Sequence, residues 1–136
     1  MARFVTNRLV NPVLRRGDLL PVLDVETPFG GLDERELRAW IGTWLRVVEE
    51  VLGAKPILYT NNSSWSATGN SIEFAKARYP LWVAEWGVSR PTVPANNWAG
   101  RGYSVWQYTS SGSVPGISGH VDMDRLGTGL AKITVH

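Results

Sequence analysis

The sequence predicts an α/β fold in which largely parallel strands alternate with helices. Short, nearly continuous apolar runs of strand length recur along the chain, and a long amphipathic helical pattern separates the first two of them. Loops rich in Gly, Pro, Asn and Ser separate the remaining elements. Strand, helix and strand in this order and at this spacing are typical of parallel βαβ units.

The predicted elements begin with a helix. Residues 2–15 place apolar side chains at roughly helical spacing, and Gly17 ends that run. Strands are predicted for residues 19–26, 56–61, 81–87, 103–110 and 120–126. The closing strands have no predicted helix between them, which departs from a regular α/β barrel.

The clearest helix begins after Asp33. Glu36 lies three residues further on and completes a capping box, and Gly53 ends the helix. Its apolar stripe consists of Leu37, Trp40, Ile41, Trp44, Val48 and Val51. Such a stripe is expected to cover one face of the sheet. A weaker helix is predicted for residues 72–78.

Composition excludes several classes of function. The 136 residues, 43% of them apolar, suit one globular domain. The net charge of +2 is too small to indicate nucleic-acid binding, and no stretch of about 18 apolar residues predicts a membrane span. The chain has no cysteine, and His120 and His136 have no metal-ligand spacing. With no Gly-rich nucleotide motif either, neither a metal nor a cofactor is predicted.

Two carboxylates, Asp24 and Glu26, interrupt the apolar run of residues 21–30, PVLDVETPFG. Residues i and i+2 of a strand face the same side, so the two are expected to project together. They precede a loop, at the strand end where α/β barrels place their chemistry, and paired carboxylates are the equipment for glycosidic cleavage. The pattern is also compatible with charges near a loop or partners of buried arginines. On these residues alone both interpretations stay open.

The order and spacing of several segments resemble the family 25 glycoside hydrolases, the Chalaropsis-type lysozymes or N-acetylmuramidases. The similarity runs from about residue 2 to 127 and is most specific in LDVE, in the WQY strand and in the closing VDMDRL. The resemblance implies hydrolysis of the β-1,4 bond between N-acetylmuramic acid and N-acetylglucosamine in peptidoglycan. It also implies an irregular barrel of about eight strands whose last three lack intervening helices.

The resemblance also implies roles for individual residues. Glu26 matches the proton donor, and Asp24 matches the acidic partner that steadies the reacting sugar. Asp122 matches a further active-site aspartate, with Asp124 as the rival for that role. Tyr59 matches a tyrosine that borders the reacting ring, although a packed tyrosine is an equally good interpretation.

Each of the remaining candidates has a structural alternative. Asp122 could instead cap a turn or pair with Arg125. Trp82 and Trp106 are predicted to bind substrate, because indole faces stack on sugar rings. Trp86 is a further candidate, and since tryptophans on buried strands must also fill a core, only one or two of the three are expected in the groove.

One departure from the family pattern concerns the first part of the barrel. Family members usually begin with a strand carrying an active-site aspartate and continue through two more strands, whereas only a helix is predicted here before Asp18. We therefore expect an incomplete TIM-like barrel with about five of the eight strands. Residues 1–128 would be the C-terminal portion of a family 25 domain and residues 129–136 a short tail.

The missing strands affect the predicted partners and activity. An open sheet leaves an edge and an apolar face uncovered, so a homo-oligomer that completes the barrel is expected. The predicted substrate is the glycan strand of peptidoglycan, and the predicted location is extracellular, at the cell wall or phage-delivered, with no signal peptide evident in residues 1–10. The alternative function is a catalytically silent cell-wall glycan-binding or self-assembling fragment.

Overall fold

The computed structural model describes residues 14–136, so the helix predicted for residues 2–15 lies almost entirely outside the described residues. Within them, five strands form one sheet in chain order: β1 (Val22–Val25), β2 (Ile57–Thr60), β3 (Leu81–Ala84), β4 (Val105–Gly112) and β5 (Val121–Leu126). Strands β1 to β4 are parallel and β5 is antiparallel to β4. The predicted α/β class is thus confirmed as a mixed fold.

The helices connect the parallel strands and differ greatly in length. They are α1 (Glu34–Leu52), α2 (Asn62–Ser66), α3 (Glu73–Lys76), α4 (Pro94–Ala99) and a 3-10 turn (Leu130–Lys132). Only α1 and α3 were predicted from the sequence, and no helix joins β4 to β5. Among residues 14–136, no helix is both long and apolar enough to cross a membrane.

Helix α1 is capped as the sequence predicts. The Asp33 carboxylate accepts a hydrogen bond from the Glu36 backbone at 2.8 Å, and the Glu36 carboxylate accepts one from the Asp33 backbone at 2.9 Å. Gly53 ends the helix in the left-handed conformation, with φ of 69°. The buried residues of this helix are Leu37, Ile41, Leu45 and Val48. Val51, expected in the stripe, is 58% exposed, because at 100° per residue it falls beside Trp40 at the edge of the buried face.

The two faces of the sheet have different environments. The first, here called the helix-covered face, packs against α1 through alternate strand residues such as Leu23, Val25, Leu58 and Val83. The intervening residues point to the opposite side, here called the open face. They comprise Val22 and Asp24 of β1, Ile57 and Tyr59 of β2, Trp82 of β3, and Val105 and Gln107 of β4.

Residues 129–136, predicted to be a short tail, pack against the sheet. The Leu20 N–H donates to the Ile133 carbonyl at 2.9 Å, and the Val135 N–H donates to the Asp18 carbonyl at 2.8 Å. Ile133 is 3% exposed and forms a second core cluster with Leu20, Ile57 and Val105. This segment therefore covers the open face at the ends where the parallel strands begin.

The backbone of α4 is unusual. Residues 95–99 are left-handed, with φ between 50° and 54°, a conformation that costs roughly 1–2 kcal/mol per residue. The Trp98 indole is buried and donates to the Tyr79 carbonyl at 2.7 Å, and the Ala95 N–H donates to the Asn70 side chain at 2.8 Å. These contacts fix the turn in its place between β3 and β4.

Candidate active site

The register of the parallel strands assembles the site on the open face. Asp24 of β1 lies opposite Tyr59 of β2, and Tyr59 lies opposite Trp82 of β3. Glu26 follows one step beyond β1, at the carboxyl end of the strand, and both carboxylates are exposed. The structure thus brings Asp24, Glu26, Tyr59 and Trp82 to one face, as their two-residue periodicity predicts for the first pair.

The environment of Glu26 makes its carboxyl group a weaker acid than an ordinary glutamate. Partial burial raises the pKa of Glu26 above its usual value, and Asp24 raises it further through its negative charge and through a hydrogen bond that a protonated Glu26 can make to it. The Asn61 amide donates to the Glu26 carboxylate at 3.1 Å and partly offsets the rise in pKa. Asn61 was not predicted, although an Asn directly after a strand and before a helix is typical of an N-cap.

Tyr59 is held at the centre of the open face. Its hydroxyl donates to the Gln107 side-chain oxygen at 3.3 Å, and its ring meets Trp82 edge-on with 5.5 Å between centroids. Burial, followed by the charges of Glu26 and Asp24, raises the pKa of Tyr59 to about 12. Tyr59 is therefore a neutral hydroxyl group at physiological pH.

Asp124, rather than Asp122, makes the direct contact with the aromatic residues. The Trp82 indole N–H donates to the Asp124 carboxylate at 2.7 Å, and Asp124 pairs with Gln107 across the antiparallel ladder. Burial raises the pKa of Asp124, the Trp82 hydrogen bond lowers it, and the charge of Asp122 raises it. Asp122 is exposed and acts at a distance, since its charge also contributes to the raised pKa of Tyr59.

One alternative made Asp24 and Glu26 partners of buried arginines and paired Asp122 with Arg125, and none of these ion pairs occurs among the described residues. Among residues 14–136, the ion pairs involve Arg38 and Lys55 with glutamates away from the open face. Arg125 instead lies over the Tyr108 ring, with 4.7 Å from its guanidinium carbon to the ring centroid. The four acidic side chains Asp24, Glu26, Asp122 and Asp124 thus have no ion-pair partner among the described residues.

Trp106, predicted to bind substrate, does not lie on the open face. It is 4% exposed, belongs to the core of the helix-covered face, and donates to the Glu85 carbonyl at 2.8 Å. The reason is strand periodicity, because its neighbours Val105 and Gln107 point to the opposite side. Trp86, which is 53% exposed and donates to the Gln107 side chain at 3.0 Å, borders the site instead.

A cavity of about 450 Å³ adjoins the carboxylate pair. Its polar wall is Asp24 and Glu26, and its apolar wall includes Phe29, Leu32 and Trp40. In the part of the chain that the structure describes, no cluster of three His, Asp or Glu side chains is arranged to hold a metal ion. A carboxyl group whose pKa is raised by burial and by a second carboxylate, next to a cavity, is suited to general acid chemistry.

Comparison with protein families gives a match over most of the chain. The model of the glycosyl hydrolases family 25 matches residues 1–117. Lysozyme M1 of Streptomyces globisporus is 34% identical over 119 residues, which are 82% of this chain and 39% of that protein. The N,O-diacetylmuramidase of Chalaropsis sp is 35% identical over 105 residues, which are 73% of this chain and 48% of that protein.

Solved structures agree with these sequence matches. A bacterial lysozyme from Streptomyces coelicolor superimposes with a TM-score of 0.77 at 35% identity, covering 88% of this chain and 57% of that one. A muramidase from Acremonium alcalophilum gives a TM-score of 0.74 at 29% identity, covering 96% and 62%. The chain therefore spans less than two thirds of the length of these relatives.

Proposed function

The chain belongs to the glycosyl hydrolases family 25, and we propose that it is a peptidoglycan hydrolase of the lysozyme or muramidase type. The bond cleaved is the β-1,4 linkage between N-acetylmuramic acid and N-acetylglucosamine, and Glu26 is the proton donor. The observation that carries this proposal is the raised pKa of an exposed Glu26 beside Asp24 at the carboxyl ends of parallel strands. That combination is what protonation of a glycosidic oxygen requires.

Asp24 acts on the same side of the bond as Glu26. Inversion needs two carboxyl groups about 6.5–9.5 Å apart with a water between them, and direct retention needs about 5–5.5 Å across the sugar. Asp24 and Glu26 project from the same end of one strand, close enough for Asp24 to raise the pKa of Glu26, and not from opposite walls of a groove. Asp24 therefore fits a group that orients the 2-acetamido substituent in substrate-assisted cleavage.

The aromatic and acidic residues of the open face form the walls of the glycan site. Tyr59 and Trp82, held edge-on to each other, offer a hydroxyl and an indole beside the reacting ring. Asp122 and Asp124 approach from β5, and their charges would stabilise the positive charge that develops on the sugar in the transition state. Of the two, Asp124 touches Trp82 directly, while Asp122 contributes through its charge.

The decisive experiment is Glu26→Gln. The amide cannot donate a carboxyl proton, so clearing of bacterial cell walls should fall by about 10²- to 10⁴-fold while folding is retained. Glu50→Gln is the matched control, because Glu50 is an exposed glutamate on α1. Clearing at the wild-type rate by the Glu26 variant would refute the assignment of the acid.

We also propose that the five-stranded sheet is part of an incomplete, irregular barrel, with residues 1–128 as its family 25 portion. In the described residues β1 pairs only with β2 along its length, and such an edge favours pairing with another chain. A homo-oligomer that completes the barrel while leaving the carboxyl ends of the strands open fits this arrangement. A compact monomer in sedimentation across micromolar concentrations would exclude it.

The place of action follows from the substrate. A hydrolase of peptidoglycan acts outside the cell or at the cell wall, whether secreted or phage-delivered. The second candidate is a silent glycan-binding module, for which the exposed Trp86 beside Gln107 offers an aromatic surface. Quenching of tryptophan fluorescence by wall fragments without release of reducing ends would support that candidate.

A further inference from the structure

The end of β1 is held in place by the junction of β2 and α2. The Thr60 hydroxyl donates to the Val25 carbonyl at 2.8 Å, and the Thr27 N–H donates to the Ser64 hydroxyl at 3.2 Å. The third contact of this junction is the bond from the Asn61 amide to Glu26 at 3.1 Å. Of the three, it is the one that reaches a carboxylate of the site.

The orientation of the Asn61 amide is fixed by the helix that it caps. Its side-chain oxygen accepts a hydrogen bond from the Ser64 N–H at 2.8 Å, the N-cap contact of α2. Since the oxygen is committed to the helix, the NH₂ group must point the other way, where Glu26 lies. One amide thus joins a helix cap to the proposed acid.

We propose that Asn61 is a positioning residue for Glu26, which fixes the direction of its carboxyl group through the hydrogen bond from the Asn61 amide. The inference rests on the proposed function of Glu26 and adds a residue to it. Burial and Asp24 both raise the pKa of the Glu26 carboxyl group, and a proton donor is most effective when its pKa lies near the working pH. The Asn61 N–H stabilises the charged form and offsets part of that rise in pKa.

The cap and the donor can be separated by substitution. Asn61→Ser keeps a capping oxygen, since Ser and Asn are comparable N-caps, but it removes the NH₂ group that reaches Glu26. Asn61→Asp also keeps the cap and places a negative charge in the same position. Asn62→Ser is the matched control, because the Asn62 side chain donates to the Thr92 carbonyl and does not contact Glu26.

The readout is the titration of the Glu26 carboxyl carbon by NMR, together with kcat, KM and thermal unfolding. In Asn61→Ser we expect the Glu26 midpoint to rise, and in Asn61→Asp to rise further, with unfolding temperatures near that of the wild type. The alkaline limb of kcat should also move to higher pH. At the optimum, kcat should fall about tenfold with KM unchanged, because the Glu26 carboxyl group is no longer held in the orientation that proton transfer needs.

The outcomes are distinct. A Glu26 midpoint unchanged in both variants would overturn the positioning role, as would a loss of stability with no change in the titration. Because the titration needs no turnover, an inactive wild-type chain would refute the proposed hydrolase function, while the shift in midpoint would still decide the role of Asn61.

Discussion

The two ends of the open face are built from the same strands but have opposite character. Where the strands begin, Ile57 and Val105 are 0% and 5% exposed and pack with Leu20 beneath Ile133. Two residues further along the same strands stand Tyr59 and Gln107, which hydrogen-bond each other beside the carboxylates. One end of the face is thus a buried apolar core, and the other is a polar site.

The fold places the residues that stabilise it and the residues of the proposed chemistry at opposite ends of one face. The apolar end contributes burial, worth roughly 25 cal/mol per Å² of apolar surface. The polar end places like charges side by side, which is unfavourable for folding but useful for proton transfer. Variants at the apolar end should therefore change stability, and variants at the polar end should change titration and activity.

The largest effect on stability is expected from Ile133→Ala. Removing a buried isoleucine side chain from a packed cluster costs about 2–5 kcal/mol, which chemical denaturation would measure as a lower midpoint. Activity per folded molecule should not change, because Ile133 is remote from the carboxylates. Leu130→Ala in the same segment is the control, since Leu130 is 60% exposed and should change stability by less than about 0.5 kcal/mol. Equal effects of the two would show that this segment is not part of the core.

A smaller effect is expected from Trp82→Phe, at the boundary between the two ends. Trp82 packs against the apolar cluster and donates to Asp124 at 2.7 Å. Loss of a hydrogen bond to a charged group costs about 1.5–3 kcal/mol, and because that bond lowers the pKa of Asp124, the pKa of Asp124 should rise further in the variant. Thermal unfolding and an NMR titration would measure both.

Trp86→Phe is the matched control for Trp82→Phe. Trp86 also donates its indole N–H to a side chain, but the acceptor is the neutral Gln107 and the residue is 53% exposed. The loss of stability in Trp86→Phe should be smaller than in Trp82→Phe, and the titration of Asp124 should not change. An unchanged Asp124 titration in Trp82→Phe itself would contradict the boundary role of Trp82.

The smallest effect on stability, and an opposite one in sign, is expected from Asp24→Asn. The Asp24 charge raises the pKa of Glu26, so the variant should titrate Glu26 at lower pH and move the alkaline limb of activity in the acid direction. A carboxyl whose pKa is raised by folding stabilises the fold below its unfolded pKa and loses that contribution as pH rises through the folded value. The stability of the variant should therefore depend less on pH between the unfolded and the folded pKa of Glu26. The variant should also be slightly more stable than the wild type at neutral pH.

Asp122→Asn separates this effect from a general change of charge. Asp122 lies on the same face, but it is not among the groups that shift the pKa of Glu26. Its removal should leave the Glu26 titration in place while lowering the pKa of Asp124, which its charge raises. If Asp24→Asn and Asp122→Asn moved the Glu26 titration equally, the close pairing of Asp24 with Glu26 would be contradicted.

Local patterns in the sequence predicted a large part of this structure. The capping box at Asp33 and the glycine at position 53 set the bounds of α1, because caps depend on residues three or four positions apart. The two-residue period of strands predicted that Asp24 and Glu26 share one side. The same period applied to residues 105–107 places Trp106 on the side opposite to Val105 and Gln107, and that side is the core of the helix-covered face. The short helix α2 was missed, since five residues carry little periodic signal.

The α/β class, the long capped helix and the common face of Asp24 and Glu26 follow from the sequence, because they depend on neighbours along the chain. The partners of the site follow only from the folding of distant segments against each other. The contact of Asn61 with Glu26 joins residues 35 positions apart, and that of Trp82 with Asp124 joins residues 42 apart. The same folding placed Ile133 against Leu20. Such contacts depend on which strands become neighbours and in what register, which long-range packing sets and no local pattern encodes.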